Sequence, residues 1–366
     1  VKAFFYVQHL LGIGHLKRAT ILARALGSAG FEVTLVSGGL PVPGFEVVQL
    51  PPAATADLTF KTLVDEAGKP VTEDWKRRRT AALLEAWRNA RAQLLITELF
   101  PFGRRQMRFE LLPLLETAVS SAGRPLIVSS VRDLIQAKPE REAEMLGWFE
   151  RYYDHVLVHG DPQLAVFPHA RRLGERVHYT GYVVDDAPQM GGDAGRGEVI
   201  VSAGGGAVGA RLLETAIRAR PASSLRDRTW RILAGAQASP ADFARLRSLA
   251  GPGVEVERAR IDFTLLLKNC VLSISQAGYN TVMETLRAGG RAVMVPFAGV
   301  GESEQTSRAQ LLAARGLIGM VEEAHLSPET LAAAVDAAML RPPAGKADVD
   351  LDGARRSAAL LREWIS

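Results

Sequence analysis

The sequence predicts two tandem doubly wound α/β domains, each a largely parallel sheet with helices on both faces, meeting across a central cleft. Three observations predict it. Short apolar runs alternate with longer helical stretches, so each strand is followed by a crossover that brings the next one in parallel. The same alternation runs twice, on either side of the Gly-, Asp- and Pro-rich segment VVDDAPQMGGDAGRG (183–197), which reads as a linker. The 366 residues also exceed what one hydrophobic core usually serves. The expected parts are an N-terminal domain over 1–182, the linker 183–197, a C-terminal domain over 198–350 and a final helix over 351–366.

In the first half AFFYV (3–7) is a short buried strand, and residues 16–29 carry apolar residues at helical spacing. EVTLVSG (32–38) and FEVVQL (45–50) follow as strands, then a helix over 73–94, the strand LLITEL (94–99) and a helix over 105–120. PLIVSSV (125–131), a helix near 139–152, DHVLVHG (154–160) and VHYTG (177–181) complete this half. In the second half EVIVSAGGG (198–206) runs from a strand into glycines, and a helix extends to about 219. RTWRILAG (228–235), VEVER (254–258), CVLSI (270–274), RAVMVPF (291–297) and GLIGMV (316–321) are strands. Helices fall at 239–250, capped by Ser239, and at 261–267, 279–288, 304–315 and 328–340. The tail LDGARRSAALLREWI (351–365) is amphipathic, with Leu360, Leu361, Trp364 and Ile365 on one face, suited to packing back on the first domain.

Composition narrows the function classes. The formal charge of +4 comes from 44 basic and 40 acidic residues interspersed, which is not the footprint of a nucleic-acid binder. RRR at 77–79 and RR at 104–105 read either as solvated helix faces or as attractors of an anionic ligand or lipid surface. The single cysteine, Cys270, allows no internal disulfide and reads as a small buried hydrophobe. VKAFFYV is too short for a signal peptide, and no run of about eighteen apolar residues predicts a membrane span. The expected location is cytoplasmic, with peripheral contact at the inner membrane face left open.

The candidate sites cluster after strands, where doubly wound sheets bind ligands. QHLLGIGHLKRA places Gly12, Gly14 and His15 between a strand and a helix. It lacks the third glycine of a dinucleotide fingerprint and the GK[ST] of a P-loop. A positive helix end disfavours a protonated imidazole, so His15 suits a general base; the plainer reading is a turn-filling residue. Gly204, Gly205 and Gly206 follow the strand EVIV and read as a phosphate cradle or as a packing turn. Ser275, Gln276, Ala277 and Gly278 precede a helix carrying Thr281 and Glu284. Small residues at a helix start suit a diphosphate, and the Glu284 carboxylate suits two ribose hydroxyls. Glu302, Glu304 and Gln305 lie beyond the next strand, where they would read sugar hydroxyls or simply face solvent.

These residues resemble those of the GT-B glycosyltransferases. The likeness is to family 28, which transfers N-acetylglucosamine in peptidoglycan synthesis, and to a related group of predicted bacterial glycosyltransferases. It covers both Rossmann-like domains and is strongest over 270–315 and 11–26. The resemblance implies that His15 faces the cleft near the acceptor or reacting centre, with Gly12 and Gly14 in the acceptor-side loop. It implies that Gly204–Gly206 approach donor phosphate, that Glu284 holds the ribose, and that Glu304 and Gln305 contact the donor sugar. Arg260, Ile261 and Phe263 occupy the neighbourhood that reads uracil. ELFPFGRRQMRFE (98–110) resembles only the predicted group. There Glu98 either orients His15 or acts as base, and Arg104 and Arg105 either meet an anionic acceptor or pair with Glu110 and other local carboxylates.

The activity implied is sugar transfer from a nucleotide-diphosphate donor, a UDP-sugar, to an acceptor hydroxyl, with inversion. No cofactor or metal is called for, since Asp185–Asp186 and Asp348–Asp350 fall in the linker and tail rather than at a strand end. The partners implied are the nucleotide sugar and a small-molecule, glycan or lipid-linked acceptor, with no nucleic acid. Phe60, Phe100, Phe102, Met107 and Phe109, mixed with Lys61, Arg104, Arg105 and Arg108, suit either a membrane surface or a packed helix. The rivals are a nucleotide-sugar epimerase of the same fold and a non-catalytic nucleotide-sugar-binding protein.

Overall fold

Parallel pairing organises the chain into two sheets. The computed structural model describes residues 1–10, 12–56, 62–135, 137, 139–185, 191–203, 209–235, 238–298, 303–345 and 349–365. The chain forms two compact units, one of Val1–Val183 with Asp350–Ser366 and the other of Val184–Val349.

The first unit contains strands β1 (Lys2–Val7), β2 (Glu32–Ser37), β3 (Val48–Gln49), β4 (Ala54–Thr55), β5 (Leu63–Val64), β6 (Leu94–Glu98), β7 (Leu126–Arg132), β8 (His155–His159) and β9 (Val177–Tyr179). Its helices are α1 (Gly14–Ser28), α2 (Glu73–Ala90), α3 (Arg108–Val119), α4 (Glu142–Tyr152) and α5 (Ala170–Leu173). Seven strands pair in the order β3-β2-β1-β6-β7-β8-β9, and β4-β5 form a separate antiparallel pair. Strand order reverses between β1 and β6, which makes their carboxyl ends the switch point of the sheet. Successive side chains on β1 serve opposite faces. Phe4 and Tyr6 enter a core with Trp87 and Leu111, while Ala3, Phe5 and Val7 enter one with Leu16 and Leu22.

The second unit contains β10 (Val199–Ser202), β11 (Trp230–Ala234), β12 (Val254–Arg258), β13 (Leu272–Ser275), β14 (Ala292–Met294) and β15 (Gly319–Met320). Its helices are α6 (Ala210–Ala219), α7 (Pro240–Leu249), α8 (Phe263–Asn269), α9 (Tyr279–Ala288), α10 (Glu304–Ala314) and α11 (Pro328–Met339). The order β12-β11-β10-β13-β14-β15 puts the switch point between β10 and β13. The last helix, α12 (Gly353–Ile365), packs on α1, with Leu361 and Ala358 buried in the core of the first unit.

Several expected elements are trimmed. The strands expected at 45–50 and 316–321 shrink to two residues each, because β3 and β15 are sheet edges with one neighbour apiece. The helices expected from 105 and 139 begin as 3₁₀ turns at Arg105–Met107 and Pro139–Arg141. Cys270 follows α8 rather than entering β13; its thiol is half-buried and donates to the Leu267 carbonyl at 3.3 Å. Ser239 does cap α7, accepting from the Asp242 amide at 3.0 Å. In the aromatic and basic segment Phe100, Phe102 and Met107 are buried, Arg104, Arg105 and Phe109 are half-buried and Arg108 is exposed, while Phe60 and Lys61 lie outside the described residues. Among the described residues no helix is long and apolar enough to cross a membrane.

Candidate active site

At the carboxyl edge of the first sheet, Glu98 ends β6 with its side chain 1% exposed. The next residue, Leu99, turns into the left-handed region at φ 65°, a costly conformation for a residue with a side chain; its amide N–H donates a hydrogen bond to the Ser130 carbonyl. His15, in the first turn of α1, brings Nδ1 to 2.7 Å from Glu98 Oε1. Arg18, one turn on and 2% exposed, donates to the same oxygen. Glu98 Oε2 is buried with no hydrogen-bond partner. Arg104, Arg132 and His159 surround this group.

The protonation states follow from burial and charge. Burial raises the Glu98 carboxyl, but His15, Arg18 and Arg104 outweigh it and hold the group below its usual range, so it is ionised. Burial is the main force lowering His15, with Arg104 and Arg132 adding to it against Glu98. The sequence argument for a neutral histidine rested on the helix end; desolvation is the stronger cause. An ionised carboxylate only accepts, so the contact to Glu98 places the hydrogen on Nδ1 and leaves Nε2 able to take a proton.

The neighbouring arginines divide. Arg104 donates from Nε to the Gln8 carbonyl at 2.9 Å, just past β1. Arg105 turns to Glu144 at 2.5 Å. Glu110, expected as a partner for this pair, is taken by Arg79 at 2.6 Å in a fully buried contact. Arg79 also reaches Gln8 Oε1 at 2.6 Å and the Gly38 carbonyl at 2.8 Å, tying α2 to the end of β1. Of the run at 77–79, only Arg77 and Arg78 are solvated, each beside Asp74. Gly12 has open space within 4 Å of any added Cβ.

In the second unit the described candidate residues follow three strands: Ile261 comes after β12, Ser275–Glu284 run from the end of β13 into α9, and Glu304 and Gln305 come after β14. Gly204, Gly205, Gly206 and Glu302 lie outside the described residues. Gly209, at the start of α6, has a structural reason to be glycine: φ is 129°, and a Cβ would lie 2.5 Å from that of Ala203. Gly278 has neither reason. Its φ of −64° suits any residue, and a Cβ there would meet nothing within 4 Å. It opens α9 with no side-chain cap and no acidic residue in the first turn. Ser275 Oγ is buried without a partner, Gln276 and Ala277 are buried, and Thr281 is half-buried. Glu284, 6% exposed, lines a pocket of about 160 Å³ with Thr264, Lys268 and Arg287.

Beyond β14, Glu304 opens α10 and pairs with Arg308 at 2.5 Å; Arg308 also donates to the Ala277 carbonyl at 2.9 Å. Gln305 Oε1 accepts from the Phe297 amide at 3.2 Å, so its NH₂ is the end suited to a ligand. Ile261 is 99% exposed on the loop after β12. Beside it Arg260 is bound to Asp262 at 2.7 Å and Glu257 at 3.0 Å, and Phe263 opens α8.

Sequence reasoning missed Arg18, Arg132, His159 and Arg308. Arg18 lies three residues after His15, and Arg308 four after Glu304, spacings that share a helix face. For Arg132 and His159 the signal was their place at strand ends beside Glu98.

Residues 200–357 match the model of the glycosyltransferase family 28 C-terminal domain. The chain is 33% identical over 156 residues to the UDP-N-acetylglucosamine--N-acetylmuramyl-(pentapeptide) pyrophosphoryl-undecaprenol N-acetylglucosamine transferase of Granulibacter bethesdensis. That alignment covers 41% of this chain and 40% of the relative, so the chain spans about two-fifths of the curated relative's length. In structure it resembles the glycosyltransferase of kitacinnamycin at TM-score 0.64 and 18% identity, covering 100% of this chain and 99% of the other. It also resembles MurG of Acinetobacter baumannii at TM-score 0.63 and 15% identity, covering 99% and 100%. The fold is therefore that of the GT-B glycosyltransferases, and the family 28 resemblance read from the sequence is borne out over 200–357.

Proposed function

We propose that the chain is a glycosyltransferase that moves a sugar from a UDP-sugar to an acceptor hydroxyl, with inversion at the anomeric carbon. The observation that carries the reading is the His15–Glu98 contact at 2.7 Å, which leaves a neutral imidazole with a bare Nε2 at the switch point of the first sheet. His15 Nε2 removes the acceptor proton, the acceptor oxygen bonds to the anomeric carbon, and the bond to the donor phosphate breaks. The diphosphate departs with the electron pair. The negative charge it gains is met by backbone amides after β10 and at the start of α9. Gly278 fits this cradle: neither its dihedrals nor its described neighbours require a glycine, and the absence of a side chain lets a phosphate come close to the backbone. Glu284 holds the ribose, exposed Ile261 lies against the base, and Glu304 and Gln305 face the sugar. The reading invokes no metal. The acceptor we favour is a glycan or lipid-linked hydroxyl met at the cytoplasmic side of a membrane.

Mass spectrometry of products from UDP-N-acetylglucosamine and a panel of such acceptors tests the transfer. His15→Gln is expected to lower kcat by about 10²–10⁴-fold while donor affinity holds. Glu284→Ala is expected to weaken UDP binding in calorimetry. Donor binding without turnover across the panel, or full turnover in His15→Gln, would sink the reading.

A further inference from the structure

We propose that Arg18 is a positioning residue that keeps Glu98 ionised and thereby keeps the hydrogen of His15 on Nδ1, so that Nε2 remains the base. The inference rests on the reading of His15 as base and assigns the group that makes it one. Arg18 is buried in the second turn of α1 and donates to Glu98 Oε1, the oxygen that also accepts from His15 Nδ1. Oε2 is buried and has no partner, so the hydrogen bonds to this carboxylate converge on one atom. Arg18 Nη2 also lies 3.5 Å from His15 Nδ1, but both atoms carry hydrogen, so no hydrogen bond joins them. A guanidinium has no acceptor and cannot give up its proton, so it acts here as a fixed positive charge.

Removing that charge has a definite consequence. Glu98 becomes a buried anion whose remaining direct partner is a neutral imidazole, and the pair is driven to take up a proton. The proton has two places to go. On the carboxyl, Glu98 becomes a donor to Nδ1, and the imidazole hydrogen moves to Nε2. On the imidazole, both nitrogens carry hydrogen. Either way Nε2 is blocked, and the two microstates have the same effect on catalysis. The other charged or titratable groups facing the pair are Arg104 from the segment after β6, Arg132 at the end of β7 and His159 at the end of β8. Arg104 and Arg132 act on the imidazole as like charges and do not hydrogen-bond Glu98 as Arg18 does.

The test is ¹⁵N–¹H correlation of the histidine side chains in the full chain, with His15 assigned by its loss in His15→Gln. In the wild type His15 is expected to show a protonated Nδ1 and a bare Nε2 from pH 5.5 to 8. In Arg18→Gln the pH at which Nε2 loses its proton is expected to rise by more than one unit. The acid limb of UDP release from UDP-N-acetylglucosamine should move with it, through kcat rather than the donor KM. An unchanged His15 titration in folded Arg18→Gln overturns the proposal. If the lone substitution does not fold, Arg18→Gln/Glu98→Gln removes both charges of the pair together, so neither is left facing the other's absence. That variant is expected to match Glu98→Gln alone in both readouts, since Arg18 acts through Glu98. An equal further loss from Arg18→Gln in the Glu98→Gln background overturns the proposal. A His15 titration that moves while the pH–rate profile stays in place supports the Arg18 clamp and removes His15 from the role of base.

Discussion

Buried ionisable side chains at the first sheet's carboxyl edge tie stability to pH. His159 is 0% exposed, with Nε2 at 2.8 Å from Ser130 Oγ and Nδ1 at 2.9 Å from Thr180 Oγ1. Burial, with Arg18 nearby, lowers its pKa from 6.5 to about 3. The folded state then binds fewer protons than the unfolded state between those two values, so stability rises with pH there and is lost on acidification. Between pH 6.5 and 5 the loss from this one residue is about 2 kcal/mol. Urea unfolding of the wild type and His159→Gln at pH 7 and pH 5 checks it. The variant should lose less stability on acidification, and equal losses would count against the assignment. Glu98 adds in the same direction at lower pH, since a carboxyl held below its usual range withdraws its stabilisation as it protonates. None of this burial was legible in the sequence, where a histidine at the end of DHVLVHG looks like any strand end.

At the scale of elements, α2 shows how local signals and long-range packing share the work. Thr72 caps it, accepting from the Trp75 amide at 3.1 Å, and Glu73 and Asp74 favour its N-terminus. Those signals lie within a few residues, and the helix was legible from them and from its period. Arg79 was not. It sits in a run of three arginines that reads as one solvated face, yet it is buried against Glu110 on α3, 31 positions away in the chain. A contact of that range depends on where the sheet places α2 and α3, which no local pattern encodes. Thr72→Ala is expected to cost about 1 kcal/mol, and Arg79→Met about 3–5 kcal/mol because it strands a buried carboxylate. Arg79→Met/Glu110→Leu should recover much of the larger loss. Chemical denaturation at pH 7 separates the cases, and equal costs for the two single variants would mean that Arg79 is not the tether its contacts describe. The same logic divides the candidate site. The placement of Ser275 at a strand end and of Glu284 on the helix after it was legible, because switch-point loops follow strands in sequence. The Arg18–Glu98–His15 group was half legible, since the strand end and helix start could be read but not their meeting.

Each unit has its own parallel sheet and its own core, and the chain leaves the first unit only to return to it through α12. The return is fixed at both ends of the helix. Gly353 lies so close to Gly181 that an added Cβ would sit 2.2 Å from the carbonyl oxygen there. Trp364 stacks on His155 with ring centroids 4.0 Å apart, and Leu361 is 1% exposed between them in the chain. Deleting most of that leucine side chain leaves a cavity in the first unit's core, at a cost of about 2–5 kcal/mol. Because each unit has its own sheet and core, the cost should fall on one of them. Trp230 is the single tryptophan of residues 184–349, while Trp75, Trp87, Trp148 and Trp364 belong to the first unit. With 5-fluorotryptophan incorporated, Leu361→Ala should move the urea midpoints of those four fluorine resonances to lower concentration and leave that of Trp230 in place. If all five move together, the two units unfold as one cooperative body and the assignment of α12 to the first unit alone fails.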